Sequence, residues 1–229
     1  MSKATRTATG HALPHISGPA EFSTAFGVSR EVVEKLQLYA ALLQTWQRAV
    51  NLVAPSTLDD IWHRHFADSA QLLDLAPTSK SWIDLGSGGG FPGLVIAILL
   101  ANQENHIVHL IESNSRKCAF LCEVARRTET PVTVHEGRIE DIARGGQAGK
   151  GDVVTSRALT PLTHLLGLAQ GFSAENTIGL FLKGRDAGRE IDEARRNWRF
   201  EYICLPSRTS GDGRIIEVRN LISQGDYSP

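Results

Sequence analysis

The sequence predicts an α/β fold, with a mostly parallel sheet that ends in a C-terminal antiparallel hairpin and follows an N-terminal helical extension. Short apolar runs with the length of buried strands alternate with segments of helical spacing, which is typical of parallel pairing through right-handed crossovers. These strands are predicted over 81–85, 106–112, 132–136, 152–157 and 177–183. Two further strand-like runs, 200–205 and 214–221, are joined only by 206–213. Because that connection is too short for a crossover helix, they predict an antiparallel pair.

Three regions follow from these patterns. Residues 1–23 are rich in Thr, Ser and His and interrupted by Gly and Pro, which predicts a disordered tail. Residues 24–78 predict a helical extension with helices over 29–50 and about 59–75. Residues 79–224 contain the alternating strands and helices.

Composition limits the classes of function. The longest apolar run, 94–101, is too short to span a bilayer, so no membrane role is predicted. The three cysteines include no Cys-x-x-Cys pair, which favours a reducing compartment, here the cytoplasm, and predicts no metal site.

The most informative segment is the glycine-rich turn over 84–93, Asp-Leu-Gly-Ser-Gly-Gly-Gly-Phe-Pro-Gly. Glycine is required where φ is positive or where a ligand lies against the main chain. A plain turn is disfavoured, since four glycines within 86–90 add conformational entropy that folding must remove. The segment therefore predicts a ligand bound at the end of the first strand.

Two ligands match this segment. Gly88-x-Gly90-x-x-Gly93 satisfies the dinucleotide fingerprint, with Glu112 about 20 residues further on for the ribose hydroxyls. Asp84-x-Gly86-x-Gly88 instead resembles the first motif of class I S-adenosylmethionine-dependent methyltransferases, in which Glu112 keeps the ribose role. An NAD(P)-dependent oxidoreductase and a non-enzymatic RNA-binding module remain the alternatives. The first lacks a Tyr-x-x-x-Lys pair here, and the second does not require the glycine turn.

Further segments extend the resemblance in chain order. With 84–93, they are similar to the motifs of the bacterial 16S rRNA small-subunit methyltransferase G family: 51–52, 64–69, 112–121, 137–140, 156–158 and 182–184. Ordered motifs are far more specific than any single one. The resemblance implies a class I methyltransferase fold and methyl transfer from S-adenosylmethionine to N7 of a guanine in 16S rRNA. It also implies a monomer whose partner is the RNA or a small-subunit particle.

The resemblance also implies a cofactor site, formed by Asp84, Gly86, Ser87, Gly88, Gly90, Phe91, Glu112, Ile139, Glu140 and Arg157. Glu112 has an alternative role as a cap for the helix beginning near 115, but its place at a strand end favours the ribose. Arg157 would be costly to bury unpaired, so we expect it to meet an anion or a carbonyl group.

Three residues are candidates for positioning the substrate: His65, Asp68 and Lys183. Each has a simpler interpretation, as a packed histidine, a helix-surface ion pair of Asp68 with Arg64, and a solvated lysine. Guanine N7 carries no proton at neutral pH. Methyl transfer to it is therefore a direct in-line displacement that needs no general base and no metal.

Arginines concentrate in the last fifth of the chain. The candidates for RNA binding are Arg185, Arg189, Arg195, Arg196, Arg199, Arg208 and Arg214. The alternative is a solvated helix on which Glu190, Asp192 and Glu193 pair with arginines.

Overall fold

A seven-stranded sheet organises the molecule in the computed structural model, which describes residues 12–223. The strands are β1 (Ser81–Leu85), β2 (Ile107–Glu112), β3 (Thr133–Glu136), β4 (Val153–Arg157), β5 (Ile178–Lys183), β6 (Trp198–Pro206) and β7 (Arg214–Ser223). The helices are α1 (Pro19–Phe26), α2 (Arg30–Trp46), α3 (Asp68–Ala70), α4 (Gly93–Leu100), α5 (Ser115–Arg127), α6 (Ile139–Gly145), α7 (Leu162–Gln170) and α8 (Ala187–Ala194).

The strand order is β3-β2-β1-β4-β5-β7-β6. Strands β1 to β5 are parallel, whereas β7 runs antiparallel to both β5 and β6. The predicted parallel sheet and closing hairpin are confirmed. Because β1 pairs with β2 on one side and β4 on the other, the order reverses at β1, and open α/β sheets bind ligands at such a point.

The sheet is covered on both faces. Along β1, Trp82 belongs to the core beneath α2, α4 and α5, while Ile83 belongs to the core beneath α6, α7 and α8. This alternation is the period of a strand buried on both sides. Nearly every residue of α4 is buried, since this apolar helix lies between the sheet and the N-terminal helices.

The N-terminal region differs from its prediction. Over 12–23 the predicted disordered tail is wrong, because α1 begins at Pro19 and the side chains of Ile16 and Phe22 are fully buried. Phe22 packs edge-on against Trp62 with 5.6 Å between ring centroids. These few apolar side chains are diluted by polar neighbours in the sequence, so composition conceals them. The helical extension therefore begins before residue 24, and residues 1–11 of the predicted tail lie outside the described residues.

The predicted helix over 59–75 is present in an unexpected form. Trp62–Ala67 is a π-helix, which continues into α3 and then a 3-10 turn over Gln71–Leu75. Wider turns of this kind are frequent at functional sites. Here the π-helix directs His65 towards the end of β4.

Candidate functional site

A cleft of about 1250 Å³ opens at the carboxyl ends of β1, β2, β4 and β5. The glycine turn, the start of α6 and the end of β2 form one half of it. The π-helix, the turns after β4 and β5 and the loop between β6 and β7 form the other half. The residues that line it include seven Lys and Arg and five Asp and Glu. The formal charge of the described lining is therefore positive.

Gly86 and Gly88 both line the cleft, but only Gly88 presents bare backbone to it, because the Leu159 side chain covers Gly86. Gly86 and Gly88 have φ of +67° and +56°, the left-handed region that favours glycine. A Cβ on Gly88 would have nothing nearer than the Gly86 carbonyl oxygen at 3.7 Å, so this backbone faces open space. The neighbouring Ser87 and Phe91 also line the cleft.

Gly90 has a different role from the one predicted, because it does not line the cleft. Its φ is +93°, and a Cβ there would collide with the Tyr39 hydroxyl and come within 3.0 Å of Leu94. Gly93 is restricted in the same way, since a Cβ would lie 2.6 Å from Cβ of Asp84. These two glycines allow the turn to pack closely against its neighbours.

Asp84 also lies outside the cleft, fully buried beneath the glycine turn. Its Oδ2 accepts a hydrogen bond from the Gly93 N–H at 3.1 Å. Its Oδ1 has no partner among residues 12–223. Burial raises the pKa of Asp84 to about 7. The carboxyl group therefore supports the turn from below.

Glu112 links β2 to the glycine turn. Its Oε2 accepts from the Gly88 N–H at 2.9 Å, and its Oε1 accepts from the Asn114 N–H at 2.8 Å. The side chain of Asn114, not Glu112, caps α5. Each carboxylate oxygen keeps a lone pair for a hydroxyl group. Ile139 and Glu140, at the start of α6, line the same half of the cleft.

Arg157 contacts both a carbonyl group and an anion, as expected for a buried guanidinium group. One guanidinium nitrogen donates to the Arg64 carbonyl oxygen at 3.0 Å and lies 3.7 Å from Oδ2 of Asp68. Another donates to Nδ1 of His65 at 2.7 Å. Since a guanidinium group can only donate, Nδ1 accepts and the proton of His65 is on Nε2, which donates to Oγ1 of Thr57 at 2.8 Å.

These contacts hold His65 in its neutral form. Burial, followed by the charges of Arg157 and Arg64, lowers the pKa of His65 to about 3. His65 and the Arg157 guanidinium both lie over the Phe91 ring, at 4.7 and 4.9 Å from its centroid. Phe91 also stacks on Tyr39, whose hydroxyl donates to the Gly89 carbonyl oxygen. The helical extension is thereby fixed to the glycine turn.

Lys183 lines the cleft but is fully engaged within the protein. Its side chain is 7% exposed, and its ammonium group donates to the Thr160 carbonyl oxygen at 2.6 Å and to Glu190 at 2.7 Å. The same Glu190 oxygen accepts from the Leu162 N–H at 2.7 Å. Lys183 therefore fixes the turn after β4.

Asp68 connects the helical extension to the loop between β6 and β7. Its Oδ1 accepts from Thr209 at 2.7 Å, from Gln71 at 2.9 Å and from Ser207 at 3.3 Å. Ser207 and Thr209 also line the cleft and are not among the residues predicted from the sequence. The polar run Ser-Arg-Thr-Ser in a hairpin loop that returns to the carboxyl edge of the sheet is the signal for them.

The candidate RNA-binding arginines fall into two groups. Arg185 and Arg214 line the cleft. The others lie outside its lining: Arg189, Arg195, Arg196, Arg199 and Arg208. Within this second group Arg189 pairs with Glu193 and Arg208 with Asp74.

Solved structures place the architecture among class I methyltransferases. An O-methyltransferase from Streptomyces achromogenes in complex with SAM superposes with a TM-score of 0.58 at 13% identity, covering 88% of this chain and 95% of that one. A SAH-bound methyltransferase from Podospora anserina gives a TM-score of 0.59 at 13% identity, covering 87% and 92%. The fold is that of class I S-adenosylmethionine-dependent methyltransferases.

Sequence comparison narrows the class to one family. The family model for GidB, rRNA small subunit methyltransferase G, matches residues 32–214. A ribosomal RNA small subunit methyltransferase G of Parvibaculum lavamentivorans is 49% identical over 209 residues, covering 91% of this chain and 92% of the relative. The homologous protein of Paramagnetospirillum magneticum is 49% identical over 213 residues, covering 93% and 100%. The chain belongs to the rRNA small subunit methyltransferase G family.

Proposed function

We propose that this protein transfers a methyl group from S-adenosylmethionine to N7 of a guanine in 16S rRNA. The observation that carries the proposal is the pairing of the Glu112 carboxylate with the N–H of Gly88, whose bare backbone faces a cleft with a net positive charge. In a chain of this family, that pairing suits a nucleoside with an amino-acid end. The interpretation as an oxidoreductase is not favoured by either the fold or the family.

The residues present fit this cofactor. The backbone of Gly86 to Gly88 would hold the amino-acid end, since a Cβ on Gly88 would project into the open cleft. Glu112 would accept from the ribose hydroxyls, and Ile139 and Glu140 would flank the adenine. When bound, the cofactor supplies an electrophilic methyl group on a sulfonium centre.

The remaining residues position and desolvate the substrate. Since guanine N7 has a free lone pair at neutral pH, no side chain has to remove a proton from it. His65 fits this requirement, because its low pKa and its two hydrogen bonds keep it neutral and engaged. Arg157 and Lys183 likewise fix the cleft wall and leave catalysis to orientation and exclusion of water.

The substrate is an RNA, in naked form or as a small-subunit particle, and the reaction belongs to the cytoplasm. A cleft with a net positive charge suits phosphate groups. One chain supplies both halves of the cleft, which supports a monomer. Among the described helices, none is both long and apolar enough to cross a membrane.

Calorimetry and nucleoside analysis test this function together. Wild-type protein should bind S-adenosylhomocysteine and not NADH. It should also produce 7-methylguanosine in 16S rRNA, or in small subunits isolated from cells that lack the modification. Binding of NADH without S-adenosylhomocysteine, or methylation at another atom, would overturn the proposal.

Glu112→Gln tests the predicted ribose contact. The amide offers one oxygen acceptor in place of two and carries no charge, so we expect affinity for S-adenosylhomocysteine to fall by roughly 1–3 kcal/mol. Glu175→Gln is the matched control, because Glu175 is exposed outside the cleft lining, and it should leave this affinity unchanged. An unchanged dissociation constant for Glu112→Gln would remove Glu112 from the cofactor site.

A further inference from the structure

Leu159 is an exposed apolar side chain in the wall of the cleft. It follows Ala158, whose φ of +52° is in the left-handed region that a non-glycine residue rarely adopts. Leu159 is 38% exposed and belongs to neither of the two hydrophobic cores. A strained backbone and an exposed leucine therefore occur side by side, immediately after β4.

The strained turn places Leu159 between the two halves of the cleft. A Cβ on Gly86 would lie 2.6 Å from Cδ1 of Leu159, so this side chain lies directly over the glycine turn. Strands β1 and β4, which precede these residues, are the neighbours at which the strand order reverses. Leu159 thus lies at the border of two halves of the cleft. One half contains the glycine turn and Glu112, where the cofactor is predicted to bind, and the other contains the π-helix and the turns after β4 and β5.

The turn is held rigidly on both sides of Leu159. Before it, Arg157 is anchored by the Arg64 carbonyl oxygen and by His65. After it, the Thr160 carbonyl oxygen accepts from the buried ammonium group of Lys183. Backbone fixed in this way allows little movement of the side chain between its anchors, as preorganised sites require.

We infer that Leu159 is the apolar surface against which the target purine rests while N7 faces the donated methyl group. The inference rests on the proposed function and adds a positioning residue to it. In-line displacement requires the reacting atoms at about 3–3.5 Å with water excluded. A purine has apolar faces, and a leucine at the junction of the two halves provides a dry contact for one of them.

The test compares Leu159→Ala, Leu159→Met and a control, Ile222→Ala. Ile222 is 56% exposed and lies on β7 outside the cleft lining, so the control removes a similar exposed side chain elsewhere. Single-turnover methylation with saturating S-adenosylmethionine and RNA should be at least about tenfold slower in Leu159→Ala. Leu159→Met should retain most of the rate, because it keeps an apolar side chain of similar size. Ile222→Ala should match wild type.

Binding measurements distinguish a role of Leu159 in positioning the purine from a role in the affinity for cofactor or RNA. In Leu159→Ala, affinities for S-adenosylhomocysteine and for RNA should stay within about twofold of wild type, since phosphate contacts dominate RNA affinity. Thermal melts should coincide with wild type. A methylation rate of Leu159→Ala within twofold of wild type would reject the role of Leu159 and leave the proposed function intact. Weakened S-adenosylhomocysteine binding that accounts for the whole loss of rate would also reject it. A wild-type protein that forms no 7-methylguanosine would reject the proposed function itself.

Discussion

At the scale of single residues, His65 combines the position of a catalytic base with the chemistry of a structural group. Both ring nitrogens are engaged, Nδ1 by Arg157 and Nε2 by Thr57. Its pKa of about 3 leaves it neutral throughout the physiological range. It therefore orients Arg157 and transmits no proton to or from a substrate.

The pH dependence of methylation tests this role. His65→Ala should slow methylation because Arg157 loses the Nδ1 acceptor. Between pH 5.5 and 8.5, however, the pH–rate profiles of variant and wild type should be parallel. Rates measured with saturating cofactor and RNA provide the comparison. A wild-type limb near the ordinary histidine pKa that disappears in His65→Ala would assign general-base catalysis to His65.

Asp84 predicts a pH dependence of stability. In the folded protein burial raises its pKa to about 7, from an ordinary value of 3.8. The folded state therefore binds the proton more tightly, and this group's contribution to the free energy of unfolding decreases as pH rises from 4 to 7. Asp84→Asn keeps an acceptor for the Gly93 N–H and should remove up to about 4 kcal/mol of that decrease.

Urea unfolding of the ligand-free protein at several pH values measures this effect. The difference in free energy of unfolding between Asp84→Asn and wild type should increase with pH in favour of the variant. Asp212→Asn is the control, because that carboxylate is 72% exposed and pairs only at the surface with Arg185. Parallel curves for Asp84→Asn and wild type would show that the carboxyl group titrates normally.

At the scale of elements, the loop between β6 and β7 is a wall of the cleft that depends on the helical extension. Asp68 and Gln71 bind the side chains and backbone of 207–209. Asp74 binds Arg208 at the surface. Of the two carboxylates, Asp68 is the more buried, since its side chain is 16% exposed against 67% for Asp74.

Asp68→Ala should therefore loosen this loop, whereas Asp74→Ala should not. We expect faster hydrogen exchange over 207–213 and roughly a tenfold rise in KM for RNA in Asp68→Ala, because three hydrogen bonds to one carboxylate oxygen are lost. Affinity for S-adenosylhomocysteine should not change. Equal exchange in the two variants would show that the loop is held by other contacts.

The same elements show what sequence patterns can predict. The strands lie within about two residues of their predicted bounds, because length, apolar content and turn residues are local signals. The π-helix was not predicted, since its hydrogen-bond pattern leaves no clear periodicity. The contact between Asp68 and Thr209 joins positions 141 apart, which no local pattern encodes. Gly88 faces the cleft, whereas Gly90 packs against the side chain of Tyr39. Because Tyr39 is distant in the sequence, no local pattern distinguishes the roles of these two glycines.

At the scale of the whole molecule, strand direction separates the arginines. Strand β7 is antiparallel to β5 and β6, so β6 runs parallel to β5. It begins at Trp198 on the edge of the sheet opposite the cleft and reaches the cleft edge only at Pro206. Its nine residues span about 30 Å. Arg195, Arg196 and Arg199 surround that far start and are exposed.

RNA affinity at several salt concentrations distinguishes the two groups of arginines. If phosphates lie in the cleft, Arg185→Ala/Arg214→Ala should weaken RNA binding and flatten the log–log salt slope by about one to two units. Arg195→Ala/Arg196→Ala removes the same charge from the far edge and should leave the slope unchanged. S-adenosylhomocysteine affinity should stay constant in both. If the second pair alone flattens the slope, the RNA must extend around the sheet to its opposite edge, and the footprint of the enzyme on its substrate is larger than the cleft.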